Sequence, residues 1–93
     1  MSRTPEPLPI RQSDDGKWEV ENVSGNWIKC RTKKDAEILS NAPIVRSKIY
    51  ETIFPNKALA AELDKTAKIL KQYRISDYRF FRAMAKRARG REH

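Results

Sequence analysis

Two amphipathic helical patterns, joined by only two residues, limit the fold of this chain more than any other part of its 93 residues. The first pattern predicts a helix over residues 57–73, with Asn56 placed as its N-cap. Its apolar stripe consists of Leu59, Leu63, Ala67, Leu70 and Tyr73. The second pattern predicts a helix over residues 76–90, which Ser76 would cap. Because the link is so short, the two helices are expected to pack on each other at a steep angle.

The second of these helices has two chemically different sides. Its apolar side chains gather on one side: Phe80, Phe81, Met84, Ala85 and Ala88. Its cationic stripe consists of Arg79, Arg82, Lys86 and Arg89. At 3.6 residues per turn the apolar side can dock on the preceding helix while the cationic stripe stays exposed. The stripe serves either solubility or the binding of an anionic partner.

The distribution of charge along the chain favours a binding role. Lysine and arginine outnumber aspartate and glutamate by 20 to 12, which gives a net charge of +8. Residues 1–45 carry seven charges of each sign, so all of the excess lies in residues 46–93. Such an asymmetry predicts a polyanionic partner, with nucleic acid first and an acidic protein or an anionic membrane behind it. The apolar side of the last helix is needed for so small a core, which argues against the membrane.

The N-terminal half predicts a flexible arm followed by a β-hairpin. Three prolines in residues 1–13 rule out a helix there, so this segment is interpreted as a flexible Pro-rich arm. Residues 14–93 are then one small α+β domain. Alternating apolar and polar residues predict two strands within 17–32, joined by a three-residue loop at 24–26.

The alternation also predicts the register of this hairpin. Val20 is expected opposite Cys30, which gathers the apolar side chains of both strands on one face. That face consists of Trp18, Val20, Ile28 and Cys30. On the outer face, Glu19 would lie opposite Arg31. A two-stranded hairpin is marginally stable in water, so the helices that follow must cover its apolar face.

Two further helices are predicted between the hairpin and the long helical pair. Thr32 is a suitable N-cap for a short helix over residues 33–40. Apolar residues at four-residue spacing favour a helix over residues 43–54, although their β-branched side chains leave a strand open. The predicted fold class is therefore α+β, with a short antiparallel β-hairpin followed by about four α-helices.

Residues 66–86 resemble the helix-turn-helix of bacterial and phage DNA-binding proteins. The positions that hold the two helices of that motif together are occupied here by Ile69, Tyr73, Ile75, Phe80 and Ala83, and Ser76 opens the second helix. The family usually has a small residue in the first helix and a glycine in the turn, where this chain has Leu70 and Arg74. The resemblance implies a second helix that enters the major groove, and a homodimer that binds paired half-sites.

The candidate nucleic-acid-binding residues follow from this resemblance and from the charge. Asp77, Tyr78, Arg79 and Arg82 would reach base edges, because a recognition helix enters the groove with its N-terminal turns deepest. Arginine can read guanine through two hydrogen bonds. The remaining cations are expected to contact phosphates without sequence preference: Lys65, Lys68, Lys86, Arg87, Arg89 and Arg91.

A second segment resembles the small arm-binding domains at the N-termini of phage-type integrases. The likeness rests on GKWEV at residues 16–20 and RTKKDAE at residues 31–37. Those domains normally have three strands and a sheet that binds DNA, whereas two strands are predicted here and the charges of the hairpin cancel. Capping of a helix by Thr32 explains the second segment equally well.

The sequence gives little support to an enzyme. The only histidine, His93, is the last residue, and the sequence contains no glycine-rich phosphate loop, zinc-ligand spacing or nucleophile elbow. Neither a metal nor a cofactor is expected. Cys30 is the only cysteine, and no apolar run approaches the length of a signal peptide core or a membrane span. A cytoplasmic protein is therefore expected.

The predicted function is a small, non-enzymatic DNA-binding regulator that uses its basic C-terminal helix. The alternative is a small accessory or inhibitory protein whose basic helix docks on an acidic protein surface. This alternative includes a protein encoded by a phage or a plasmid. Composition alone does not separate the two.

Overall fold

A computed structural model of the chain describes residues 5–90. The elements in this part of the chain are β1 Ile10–Gln12, β2 Trp18–Glu21, β3 Trp27–Cys30, α1 Lys33–Ser40, α2 Ala42–Glu51, α3 Lys57–Gln72 and α4 Tyr78–Arg89. The predicted α+β class, with antiparallel strands followed by four helices, is confirmed. The chain divides into two compact units, of which the first ends at Ile44 and the second begins at Val45.

The sheet has three strands among the described residues, in the order β1-β2-β3. Strands β2 and β3 are the predicted hairpin, whereas β1 lies within the segment predicted to be a flexible arm. Ile10 of β1 pairs with Val20 of β2 in an antiparallel ladder. The periodicity missed β1 because its three residues are all exposed and show no alternation between apolar and polar side chains.

The register of the hairpin differs from the predicted one by two residues. Val20 lies opposite Ile28, and Cys30 lies opposite Trp18. The predicted shared face is confirmed, because a shift of two residues leaves every side chain on the same side of the sheet. The shift comes from Asn22, whose side-chain Oδ1 accepts hydrogen bonds from the backbone N–H groups of Ser24 and Asn26. This turn lengthens the loop beyond the three residues predicted.

The core of the first unit lies between the inner face of the sheet and α1. Val20 and Cys30 of the sheet are buried, as are Ala36 and Leu39 of α1. The side-chain oxygen of Thr32 accepts a hydrogen bond from the backbone N–H of Asp35, so the predicted cap of α1 is confirmed. Burial, with a smaller contribution from the nearby Asp35 carboxylate, raises the pKa of the Cys30 thiol to about 11.

The helix bounds agree with the sequence pattern in α1 and α3 and differ at α2 and α4. Residues 42–51 form a helix, so the segment for which a strand was left open is helical. This helix ends three residues before the predicted end at residue 54. Helix α4 begins at Tyr78, so Asp77 rather than Ser76 occupies the N-cap position, and its side chain makes no capping hydrogen bond. In the second unit, α2 contacts both long helices through the Lys48–Glu62 ion pair and through Arg46, which lies over the ring of Phe80.

Helices α3 and α4 form an antiparallel pair. Near the start of α3, the backbone N–H of Asn56 donates to the carbonyl of Ala88 at the end of α4, with an N···O distance of 2.7 Å. At the other end, the ammonium of Lys71 lies over the ring of Tyr78. Contacts at both ends require the helices to run side by side. The predicted packing of the two helices on each other is confirmed, and the turn between them reverses the direction of the chain.

Small and large apolar side chains alternate in the core between these two helices. The buried residues of α3 include Leu59, Ala60, Leu63, Ala67 and Leu70. Those of α4 are Phe81, Ala85 and Ala88. Alanines at 85 and 88 allow the two backbones to approach closely, which fits the short hydrogen bond at Ala88. This packing fixes which side of α4 faces the solvent.

Candidate nucleic-acid interface

The exposed side of α4 is almost entirely cationic. Its exposed residues are Arg79, Arg82, Ala83, Lys86, Arg87 and Arg89. Phe81, Ala85 and Ala88 lie on the opposite side, so the separation of faces predicted from helical periodicity is confirmed. We call the surface formed by Arg79, Arg82, Ala83, Lys86 and Arg87 the α4 cationic face.

An open depression with a volume of about 850 Å³ lies on the α4 cationic face. Its lining consists of Tyr78, Arg79, Arg82, Ala83, Lys86, Arg87 and Gly90. A helix surface is convex, so the depression exists because small residues lie between long ones. Ala83 and Gly90 have little or no side chain, whereas the arginine and lysine side chains rise around them. An anionic group that enters this depression meets cations from several directions.

Tyr78, the first residue of α4, is surrounded by cations. The Arg82 guanidinium carbon lies 5.5 Å from the centroid of the phenol ring, and that of Arg79 lies 5.8 Å away. The ammonium of Lys71 on α3 lies 5.8 Å from the same centroid. The hydrogen bond between the side chains of Tyr78 and Arg79, followed by the positive charge of Arg79, lowers the pKa of the Tyr78 hydroxyl.

The cations of α3 and α4 differ in whether they are paired with carboxylates. Arg89, a predicted phosphate contact, forms an ion pair with Asp64. Among residues 5–90, no ion pair involves Arg79, Arg82, Lys86, Arg87 or Lys71. Lys65 and Lys68 are exposed on α3. Lys68 shares a row with Asp64 and Lys71, because residues four and three apart lie on one side of a helix. Arg91 lies outside the described residues.

Lys71 and Ala83 belong to the site but were not predicted to have a role in it. Lys71 lies next to Tyr78 only because α3 and α4 run antiparallel, and sequence spacing does not reveal that arrangement. Ala83 was assigned to the contact between the helices, yet it is exposed and lines the depression. Helical periodicity could have predicted that Ala83 is exposed, because at 3.6 residues per turn it lies among the cations of the α4 cationic face and away from the buried residues.

The positions that resemble a helix-turn-helix do not form the core of the α3–α4 pair. Ile69, Tyr73, Ile75 and Phe80 are partly buried, and Ala83 is exposed. The neighbouring residues Leu70 and Phe81 are buried instead, at 4% and 2% exposed. Ala83 is therefore not part of the contact between the helices, and the resemblance to a helix-turn-helix stays a prediction. Leu70 is large because it fills the core of an antiparallel pair.

Arg74 has a positive φ of 60°, in the turn between α3 and α4. Its backbone N–H donates to the carbonyl of Lys71 at 3.0 Å, and that of Ile75 donates to Leu70 at 2.9 Å. These two bonds are the Schellman ending of a helix, in which glycine usually occupies the position of Arg74. Arg74, which stands where the helix-turn-helix family usually has a glycine, therefore adopts the left-handed conformation that glycine favours.

The strain at Arg74 gives a testable prediction. The free energy of unfolding of Arg74→Gly should be about 1 kcal/mol higher than that of Arg74→Ala, because only the alanine has a Cβ, which is unfavourable at this φ. Urea unfolding followed by circular dichroism measures the difference. Both variants lose the same charge, so the alanine variant is the matched control. Equal stability of the two would show that residue 74 does not hold a positive φ in solution.

The outer face of the sheet carries cations that are already neutralised. The Arg11 guanidinium contacts the Glu19 carboxylate at 2.7 Å and also lies 3.9 Å from the centroid of the Trp27 ring. Lys29 forms a 3.4 Å ion pair with Asp15. Glu19 lies opposite Lys29 in this sheet, whereas the predicted register put it opposite Arg31. This face offers an anion less attraction than the α4 cationic face does.

No protein-family model, curated protein or solved structure matches this chain. No helix within residues 5–90 has both the length and the apolar character needed to cross a bilayer. In the same part of the chain, no three histidine, cysteine, aspartate or glutamate side chains come together in a way that could hold a metal ion.

Proposed function

We propose that this chain is a non-enzymatic nucleic-acid-binding protein that binds DNA through the α4 cationic face. The observation that carries the proposal is the row of unpaired cations around an open depression on a helix whose opposite side is buried. A phosphate backbone supplies regularly spaced negative charges, and lysine and arginine side chains bind it by releasing condensed counterions. Regulation of transcription or of a mobile element, in the cytoplasm, is the proposed setting.

The contrast between the two units supports the choice of this surface. In the sheet, Arg11 and Lys29 each contact a carboxylate, so an incoming phosphate must compete with a bound anion. On α4, Arg82 and Lys86 have no such competitor among the described residues. The sheet has the three strands of the integrase arm-binding domains, but its charges cancel. We therefore assign the DNA contact to α4.

A salt titration tests the proposal. Four phosphate contacts by Arg79, Arg82, Lys86 and Arg87 predict that the logarithm of the binding constant for duplex DNA falls against the logarithm of salt concentration with a slope of about −3.6. Fluorescence anisotropy of a labelled oligonucleotide between 25 and 200 mM salt, about the range in which such contacts weaken, measures the slope. Complete absence of binding to single-stranded and duplex DNA at the lowest salt would refute the proposal.

A second candidate function is docking on an acidic protein, and exposed apolar side chains near the end of α2 favour it. Tyr50 and Ile53 are 71% and 88% exposed and lie only three positions apart in the chain. A protein partner would cover them, whereas the DNA-binding surface proposed above lies on α4 and does not include them. The double variant Tyr50→Ser, Ile53→Ser should leave DNA affinity unchanged if the proposed function is correct. Loss of a stoichiometric acidic partner in that variant would support the second candidate.

A further inference from the structure

We propose that Tyr78, together with Lys71, Arg79 and Arg82, forms a stacking site for an unpaired base, so that this surface binds single-stranded nucleic acid in preference to duplex. This inference rests on the proposed function and specifies its ligand. Tyr78 lines one end of the depression, and its ring is the aromatic group there. Sites for single strands combine such a ring with cations that follow the backbone.

The cations around Tyr78 can leave the ring when a base arrives. A cation over an exposed aromatic ring contributes about a twofold to fivefold factor to an equilibrium, whereas a stacked base contributes about 5-fold to 150-fold. A base that displaces one of the three cations therefore gains at least as much as that single cation–ring contact contributed. The displaced guanidinium of Arg79 or Arg82 is not lost to binding, because it can then contact the phosphate that follows the stacked base.

The length of the α4 cationic face suits a short stretch of single strand. From Tyr78 to Lys86 the helix rises by about 12 Å. A stacked strand rises by about 3.4 Å per nucleotide, so this distance covers three or four nucleotides. One base would lie on Tyr78, and the following phosphates would pass Arg82 and Lys86.

A duplex cannot use this site fully. Its bases are stacked on one another, so the faces of the rings are inaccessible to a tyrosine at the start of a helix unless the duplex is opened. Duplex DNA therefore gains only the phosphate contacts. The structure consequently predicts a difference in affinity between the two forms of DNA that is separate from their salt slopes, which are about 0.9 per phosphate contact for a duplex and about 0.7 for a single strand.

The first experiment compares the affinities of three oligonucleotides for the unaltered full chain. Fluorescence anisotropy would be measured at about 50 mM salt, because phosphate contacts are strong at this concentration. The ligands are a 12-nucleotide thymidine strand, a 12-base-pair duplex and an abasic strand with the same number of phosphates as the thymidine strand. The thymidine strand should bind at least about 5-fold more tightly than the abasic strand, which is the lower limit for one stacked base. It should also bind more tightly than the duplex.

The second experiment uses two variants of Tyr78. Tyr78→Leu should weaken binding of the thymidine strand by at least about 5-fold, whereas Tyr78→Phe, which keeps the ring, should stay within about 2-fold of the unaltered chain. Affinity for the abasic strand should be the same in all three proteins. Thermal unfolding by circular dichroism checks that each variant folds, and the abasic comparison remains decisive if one does not.

Three results would overturn the inference while leaving the proposed function intact. These are a duplex that binds as tightly as the thymidine strand, an abasic strand that binds equally well, and a loss in Tyr78→Phe as large as in Tyr78→Leu. The last would assign the contact to the hydroxyl group instead of the ring. Failure of every oligonucleotide to bind at low salt would instead refute the proposed function itself.

Discussion

Replacing Arg82 and Lys86 together by glutamine should weaken binding of single-stranded DNA about 60-fold at 50 mM salt. Each phosphate contact with a single strand adds about 0.7 to the salt slope, and its electrostatic contribution vanishes near 1 M salt. Two contacts therefore account for a slope change of about 1.4 and for this loss of affinity. Both side chains are exposed and have no carboxylate partner within residues 5–90, so the fold should not change.

The matched control for this variant is the replacement of Lys17 and Lys34 by glutamine. Both lysines are exposed in the first unit, and their removal lowers the net charge by the same amount. This control should bind within about 2-fold of the unaltered chain, because it removes no phosphate contact from α4. Equal losses in the two double variants would mean that net charge, and not the α4 cationic face, determines binding.

Leu63→Ala should lower the free energy of unfolding by about 3 kcal/mol. Leu63 is 0% exposed in α3, in the unit that holds α4. Its truncation removes apolar contacts and leaves a cavity that the helical pair can fill only in part. A loss of this size is a large fraction of the stability of a typical small domain. Urea unfolding followed by the helical circular dichroism signal measures it.

Lys65→Ala is the control for Leu63→Ala, because Lys65 is exposed two residues further along α3. Its stability should stay within about 0.5 kcal/mol of the unaltered chain. Binding of single-stranded DNA by Leu63→Ala should decline only in proportion to the unfolded fraction. If Leu63→Ala is as stable as Lys65→Ala, then α3 and α4 do not pack in solution as the structure shows.

Helical periodicity predicted the long helices because the signal is local and repeated. The stripe that begins at Leu59 returns every three or four residues, and the buried side of α3 follows it. The hairpin loop depended on one side chain, Asn22, whose two hydrogen bonds leave no periodic trace. Strand β1 has three exposed residues and is held by pairing with β2, which no local pattern reveals.

The candidate site was predicted in part for the same physical reason. The cations of α4 were identified because charge and helical face can be read locally. The ion pair between Arg89 and Asp64 joins residues 25 positions apart and depends on how two helices align. The contact between Lys71 and Tyr78 depends on the turn at Arg74, where a residue other than glycine adopts a left-handed conformation. Both required the tertiary arrangement.

The hydrogen bond from Asn56 to Ala88 has a consequence for the entropy of binding. Asn56 also caps α3 through its side chain, so one residue joins the open end of the helical pair, and the Schellman turn closes the other end. With both ends tied, the backbone of α4 is already ordered before a ligand arrives. The entropic cost of association then falls mainly on a few long side chains, at roughly 0.5–1.5 kcal/mol for each one immobilised.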